Sequence, residues 1–196
     1  MQQVSQDARA RLFAAAVESF AAKGFHGTTT RDIASGAGMS PAALYVHHRS
    51  KEELLYQISR AGHDRTLALV EEAVASSRDP REQLLAVVHA FVVHHAEGHT
   101  GARIVNYELA ALSPEHLEEI AATRRRIEQE MRDVVERGVE AGAFSTSDPH
   151  MTALALLSLG IDVARWYRDE GEWSPAQIAD HYCELALRIV GATQGP

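Results

Sequence analysis

A single cysteine, Cys183, stands in 196 residues. An internal disulfide is therefore excluded, and a reducing cytoplasm is the expected setting. No apolar run approaches the length needed to cross a bilayer. The polar opening, residues 1–11, lacks the hydrophobic core of a signal peptide. Also missing are a nucleophile elbow, a Walker loop, Rossmann glycines and an HExxH helix, so no cofactor is implied and the common motif-bearing enzyme classes are disfavoured. Strand signals are nearly absent, as are internal repeats and low-complexity segments. Positive charge is scarce too, with a net charge of -8. Its distribution is uneven, however. Residues 1–51 carry Arg9, Arg11, Lys23, Arg31, Arg49 and Lys51 against only Asp7, Glu18 and Asp32. A mildly basic head on an acidic body suits a head that meets phosphate and a body that does not.

What is present is a folded, all-α composition, 45% hydrophobic and 23% charged, punctuated by helix caps. The first helix is expected over Asp7–Lys23, with Leu12, Phe13, Ala16, Val17 and Phe20 on one apolar face and Gly24 ending it. Thr29 and Asp32 form a capping box that opens a helix near Thr30, broken by Gly36 and Gly38. Ser40 caps a very short helix, Pro41–His47, with proline at its first position. Ser50 and Glu53 form a second capping box, opening a long helix from Lys51 to about Ala75. Five more follow. Asp79-Pro80 opens one to about His95, and another covers Ala102–Ala111. Ser113-Pro114 begins a long one ending near Gly142, Asp148-Pro149 one to about Arg168, and Ser174-Pro175 one ending near Gly191. That makes nine helices. The helix starting at Pro149 has almost no polar face (Met151, Ala153, Leu154, Leu156, Leu157, Leu159, Ile161, Val163). The last carries two apolar stripes, Ile178-Tyr182-Leu185-Ile189 and Cys183-Leu187-Val190. In a chain this small, one such face is expected to meet a partner subunit.

The stretch Thr28–Leu55 organises the rest. Two short helices joined by a glycine-bearing turn can place the second in a major groove while the first crosses the backbone. The second must then present small or polar side chains, and Ser40, Pro41, Ala42 and Ala43, followed by Tyr45 and His47, are such a face. Ala and Pro can meet thymine methyls. Thr28, Thr29, Tyr45, His47 and Lys51 are of phosphate-contact type, and Thr30 and Arg31 complete the expected DNA-binding set.

On these residues the stretch resembles a family. Phe25-His26-Gly27-Thr28-Thr29-Thr30-Arg31-Asp32-Ile33-Ala34, then Ala37-Gly38-Met39-Ser40, Leu44-Tyr45 and Ser50-Lys51-Glu52-Glu53-Leu54 are similar to the DNA-binding head of TetR-family transcriptional regulators. The likeness runs over residues 8–56. It implies an all-helical homodimer: an N-terminal three-helix head with a helix-turn-helix over residues 1–52, and an effector-binding and dimerisation domain over 53–196. The last two helices would form a four-helix bundle with the partner. It also implies phosphate contacts from Tyr45, His47 and Lys51. His48 departs from the family, which has an aromatic residue, mostly Phe, at that position.

The body is expected to enclose an effector cavity, with Phe91, His95, Tyr107, Arg124, Asp162, Arg165 and Trp166 as candidate lining. For Arg124, an ion pair with Glu128 competes with an anion-holding role. Ala164-Arg165-Trp166-Tyr167-Arg168 with Ser174-Pro175 is similar to regulators of fatty-acid and steroid catabolism, which implies an acyl-CoA effector; Asp169-Glu170-Gly171 departs from their pattern. His89, His94, His95 and His99 cluster, but His99 is expected beyond a helix end and no cysteine or carboxylate pair completes a metal site. Three functions follow from the sequence. The leading one is a ligand-responsive repressor acting on a palindromic operator. The alternatives are a DNA-binding dimer without effector and a His-metal enzyme.

Overall fold

A computed structural model describes the backbone of residues 2–192 and the side chains of residues 6–192; the expected domain limits at residues 1 and 196 lie outside them. Among the described residues there are nine α-helices, one 3-10 turn and no strand. The helices are α1 (Gln2–Gly27), α2 (Thr30–Gly36), α3 (Pro41–His47), α4 (Lys51–Ala75), α5 (Pro80–Glu97), α6 (His99–Tyr107), α7 (Pro114–Glu140), α8 (Pro149–Trp166) and α9 (Pro175–Ile189), with the 3-10 turn at Leu109–Ala111. None is long and apolar enough to span a membrane.

The chain forms two compact units, each built from two separate stretches. The first combines residues up to His63 with Thr100–Ile120. Its core is the apolar stripe of α1 (Leu12, Ala16, Phe20) packed on Ile33 and Ala34 of α2, Leu44 of α3 and Leu54, Leu55 and Ile58 of α4. Ile104, Val105, Leu112 and Ile120 complete it. The 100–120 stretch is anchored by polar contacts as well. Glu52 accepts a hydrogen bond from the Ser113 N–H at 2.9 Å and lies 2.8 Å from Nδ1 of His116, whose ring stacks on Tyr56 at 3.8 Å. A carboxylate at the first turn of α7 suits that helix's positive end.

The second unit comprises Asp64–His99 and residues from Ala121 onward. Leu67 and Val70 of α4, Leu84, Val87 and Phe91 of α5, Met131 and Val134 of α7, and Ala153, Leu157 and Val163 of α8 fill its core, with Ile178 and Ala186 from α9. Close packing is set by glycine at two points. A methyl group at Gly160 would lie 2.6 Å from the Phe91 ring, and one at Gly138 would lie 1.9 Å from the Phe144 ring. The apolar α8 is covered on one side only: Leu156, Leu157, Gly160 and Val163 are buried, while Met151, Leu159 and Trp166 are exposed.

Several element ends differ from expectation, beginning with α1, which starts at Gln2 rather than Asp7. α1 does not stop at Lys23; it kinks at Gly24 (φ 69) and adds a turn to Gly27. That turn is held from afar, because the Phe25 N–H donates to Glu108 at 3.3 Å and the Lys51 ammonium donates to the Phe25 carbonyl at 2.6 Å. α6 begins at His99, directly after Gly98 ends α5, and the rest of the expected 102–111 helix tightens into the 3-10 turn. The second capping box is only half made. Ser50 Oγ accepts the Glu53 N–H at 3.0 Å, but the Glu53 carboxylate takes the Arg49 N–H at 2.5 Å rather than that of Ser50.

Candidate nucleic-acid interface

The helix-turn-helix is assembled by short-range hydrogen bonds. Thr29 caps α2: its hydroxyl oxygen accepts the Asp32 N–H at 3.1 Å, and its own N–H donates to Asp32 Oδ2 at 2.8 Å. The Thr29 hydroxyl, and then Lys23 at 2.9 Å, hold the Asp32 carboxyl well below the usual carboxylate range. α2 ends at Gly36. Gly38, at φ 65, turns the chain while Met39 N–H bonds back to the Ala34 carbonyl at 2.8 Å. Arg11, from α1, donates to the Ala37 carbonyl and so covers the negative end of α2. Ser40 Oγ then accepts the Ala43 N–H at 3.2 Å to start α3.

α3 buries Leu44 completely and turns Pro41, Ala42, Tyr45 and Val46 outward. The Tyr45 hydroxyl leans toward Thr30 Oγ1, 3.4 Å away, linking the outer surfaces of α2 and α3. Thr29, Arg31, Ser40, Pro41, Ala42 and Tyr45 are exposed, and Thr30, Ala43 and His47 half-buried. Nine of the eleven expected DNA-facing residues are thus accessible on α2, α3 and their caps.

Two are placed differently. Thr28 is buried, its hydroxyl directed at the Ser19 and Gly24 carbonyls at 2.9 and 2.8 Å, which ties down the kinked end of α1. Its side chain is structural. The Lys51 ammonium points inward as well, donating to the Phe25 and Thr28 carbonyls at 2.6 and 2.7 Å and sitting 4.1 Å over the Phe25 ring. Val46 was absent from the expected set, yet it is 78% exposed on α3. Its spacing of four from Ala42 was the available signal. His48 plugs the head's core at 3% exposure, with neither ring nitrogen hydrogen-bonded. Burial lowers its pKa below the ordinary 6.5, with Arg9 and His47 adding to the effect and Glu53 opposing it.

The expected effector residues do not gather around one described cavity. Phe91 and His95 are core residues of α5, the His95 ring 4.2 Å from that of Phe91 and its Nδ1 2.8 Å from the Phe91 carbonyl. Phe91 borders a crevice of about 10 Å³, room for no more than one water. Tyr107 belongs to the first unit and is exposed. Arg124 is half-buried, and desolvation lowers its pKa; the competing partner Glu128 lies 2.8 Å from His150. Asp162 and Arg165 pair with each other at 2.6 and 2.9 Å. Trp166 lines a cavity of about 380 Å³ with Trp173, Gln177, Ile178, His181 and Tyr182. Among the described residues no group of three potential ligands is disposed to hold a metal. His94 Nε2 instead lies 3.1 Å from Thr66 Oγ1. Burial pushes the Cys183 thiol up to about 11, leaving it protonated and unreactive.

Comparison with known proteins agrees with this geometry. Residues 12–58 match the model of bacterial regulatory proteins of the tetR family, and residues 77–190 match the tetracyclin repressor-like C-terminal domain. The HTH-type transcriptional repressor KstR2 of Mycobacterium tuberculosis is 30% identical over 192 residues, covering 95% of this chain and 93% of the relative. The crystal structure of a tetR-family regulatory protein from Rhodococcus RHA1 superposes with a TM-score of 0.91 at 45% identity, covering 95% of this chain and 98% of that one. AibR, solved in complex with isovaleryl coenzyme A and operator DNA, shares the fold at a TM-score of 0.85 and 24% identity, covering 95% of this chain and all 100% of that one. The chain belongs to the TetR family of bacterial transcriptional regulators, with a DNA-binding helix-turn-helix at its N-terminus.

Proposed function

We propose that this regulator is a ligand-responsive repressor that binds a palindromic operator as a homodimer and is released by a small hydrophobic effector, an acyl-CoA thioester. The observation that carries the DNA reading is the outward face of α3, uncharged and accessible beside the capped start of α2. Support for repression is the relation to KstR2, named as a repressor. Support for the effector class is the fold shared with AibR, which was solved with isovaleryl coenzyme A, together with the Arg165-Trp166-Tyr167-Arg168 segment.

Support for the dimer comes from packing. Met151, Leu159 and Trp166 on α8 and Ile189 on α9 are large apolar side chains left exposed. A second copy burying this face by a two-fold axis would place two heads on two half-sites. α4 contributes its first half to the unit containing the head and its second half to the other unit, which makes it the natural lever between effector and head. Release requires the effector to bind the DNA-incompetent conformation more tightly than the competent one.

The test is a gel shift on the DNA flanking the protein's own gene, with and without a panel of acyl-CoAs. Expected are sequence-specific, salt-sensitive binding and its loss on adding one chain-length class. Thermal shift with the same panel separates this reading from a dimer without effector. A ligand at one hundred times its Kd adds about 2.7 kcal/mol to the stability of the state it binds, a readily visible rise in Tm. No shift with any acyl-CoA overturns the effector assignment.

A further inference from the structure

The outward face of α3 has an unusual chemical composition. Pro41, Ala42, Tyr45 and Val46 are exposed at a spacing of one and four, so they form one continuous surface. That surface holds no guanidinium, ammonium, amide or carboxylate group. The side chains that read guanine bidentately (Arg, Lys), adenine bidentately (Asn, Gln) or the cytosine amino group (Asp, Glu) are therefore all missing from it. Its one hydroxyl and the neighbouring one are partly committed: the Tyr45 hydroxyl leans back toward Thr30, and Ser40 Oγ caps α3 through the Ala43 N–H. Val46 carries no such obligation. It is 78% exposed, the highest exposure among the large hydrophobic side chains of the described residues. A valine this exposed contributes nothing to the head's core, which Leu44 and His48 fill from the opposite side.

The major groove offers an apolar side chain one apolar partner, the C5 methyl of thymine. We propose that Val46 is a specificity-determining residue which reads a thymine methyl in each operator half-site, with Ala42 alongside it, so that α3 recognises its site mainly by methyl contact rather than by hydrogen bonds to base edges. The inference rests on the operator reading above and assigns to that site the base chemistry it recognises.

The experiment uses the full-length wild-type protein and its operator, taken from the flanking DNA or selected from random duplexes. Each thymine of the half-site is replaced in turn by deoxyuridine, which removes only the methyl group. Replacement at one or two positions per half-site is expected to weaken binding about fourfold each, the equivalent of one buried methyl-sized group. Val46→Ala is expected to lose a similar factor on the natural operator and to become indifferent to deoxyuridine at one of those positions. Its binding to non-specific duplex and its salt dependence stay as in wild type, because no phosphate contact is touched. Since the deoxyuridine arm uses unaltered protein, folding of the variant does not enter it. Uniform tolerance of deoxyuridine with specific binding intact overturns the methyl reading and leaves the operator reading standing. Equal sensitivity of wild type and Val46→Ala at every position assigns the methyl contact to another residue and overturns the role of Val46. Failure to find any specifically bound sequence sinks both readings.

Discussion

His48 closes the head's core with an imidazole whose two nitrogens have no hydrogen-bond partner. An aromatic hydrocarbon would fill the same place without that cost. The folded pKa is depressed below 6.5, mainly by burial, so the unfolded chain binds the proton more readily. The contribution of His48 to stability is therefore fully present above pH 6.5 and is lost as the pH falls from there through the depressed folded value. His48→Phe should raise stability by about 1 kcal/mol, the lower end for an orphaned buried polar group, and flatten the acid limb; unfolding in urea between pH 7.5 and 5 checks both. Lys51 makes a second residue-scale case. With its ammonium held by two carbonyls, Lys51→Met should destabilise the head by about 1.5 kcal/mol, the low end for a charge-assisted hydrogen bond. Operator affinity should fall with it, while the slope of log affinity against log salt is unchanged. Arg31→Ala, which removes an exposed charge, should instead flatten that slope.

At the scale of the element, the α2–α3 turn decides where the recognition helix points. Gly38 is glycine for two reasons. Its φ of 65 lies in the left-handed region, and a methyl group there would stand 3.0 Å from the Arg11 guanidinium that braces the Ala37 carbonyl. Gly38→Ala should cost about 1–2 kcal/mol from the backbone alone. It should also reduce specific binding more than non-specific binding, measured as the ratio of operator to random-duplex affinity. The turn was legible in the sequence because its determinants are local: Thr29 with Asp32, and Ser40 with Pro41, act within one helical turn. The extra turn of α1 was not legible. Glu108 lies 83 residues from Phe25, and no local pattern announces such a partner. The Ser50–Glu53 box was readable only in part, since the Glu53 carboxylate had a competing donor one residue earlier, at Arg49.

For the molecule as a whole, the exposed apolar side of α8 predicts its own cover. Leu159 is 40% exposed, so Leu159→Glu should leave the protomer folded and convert the proposed homodimer to monomer. Analytical ultracentrifugation would report the mass, and operator affinity should fall steeply because a lone seven-residue recognition helix covers too little of the groove to bind specifically. A stable dimer with intact affinity would place the interface elsewhere. The partition into units is also a whole-molecule property. The 100–120 stretch packs with the head's core through Ile104, Val105, Leu112 and Ile120, a grouping that sequence order conceals.

By itself the sequence determined the all-helical class, the caps that begin most helices, and the helix-turn-helix with its small, uncharged outward face. Those features depend on hydrogen bonds and periodicities spanning a few residues, and such patterns survive in a linear string. Only the tertiary structure decided which polar groups of the head are free. Thr28 and Lys51 carry the right chemistry for phosphate, but carbonyls brought near by folding engage them first. Val46 was left out of the expected set, and only the direction of α3 shows it facing solvent. A side chain's chemistry is written in the sequence. Its availability is set by what the fold places within 3 Å of it.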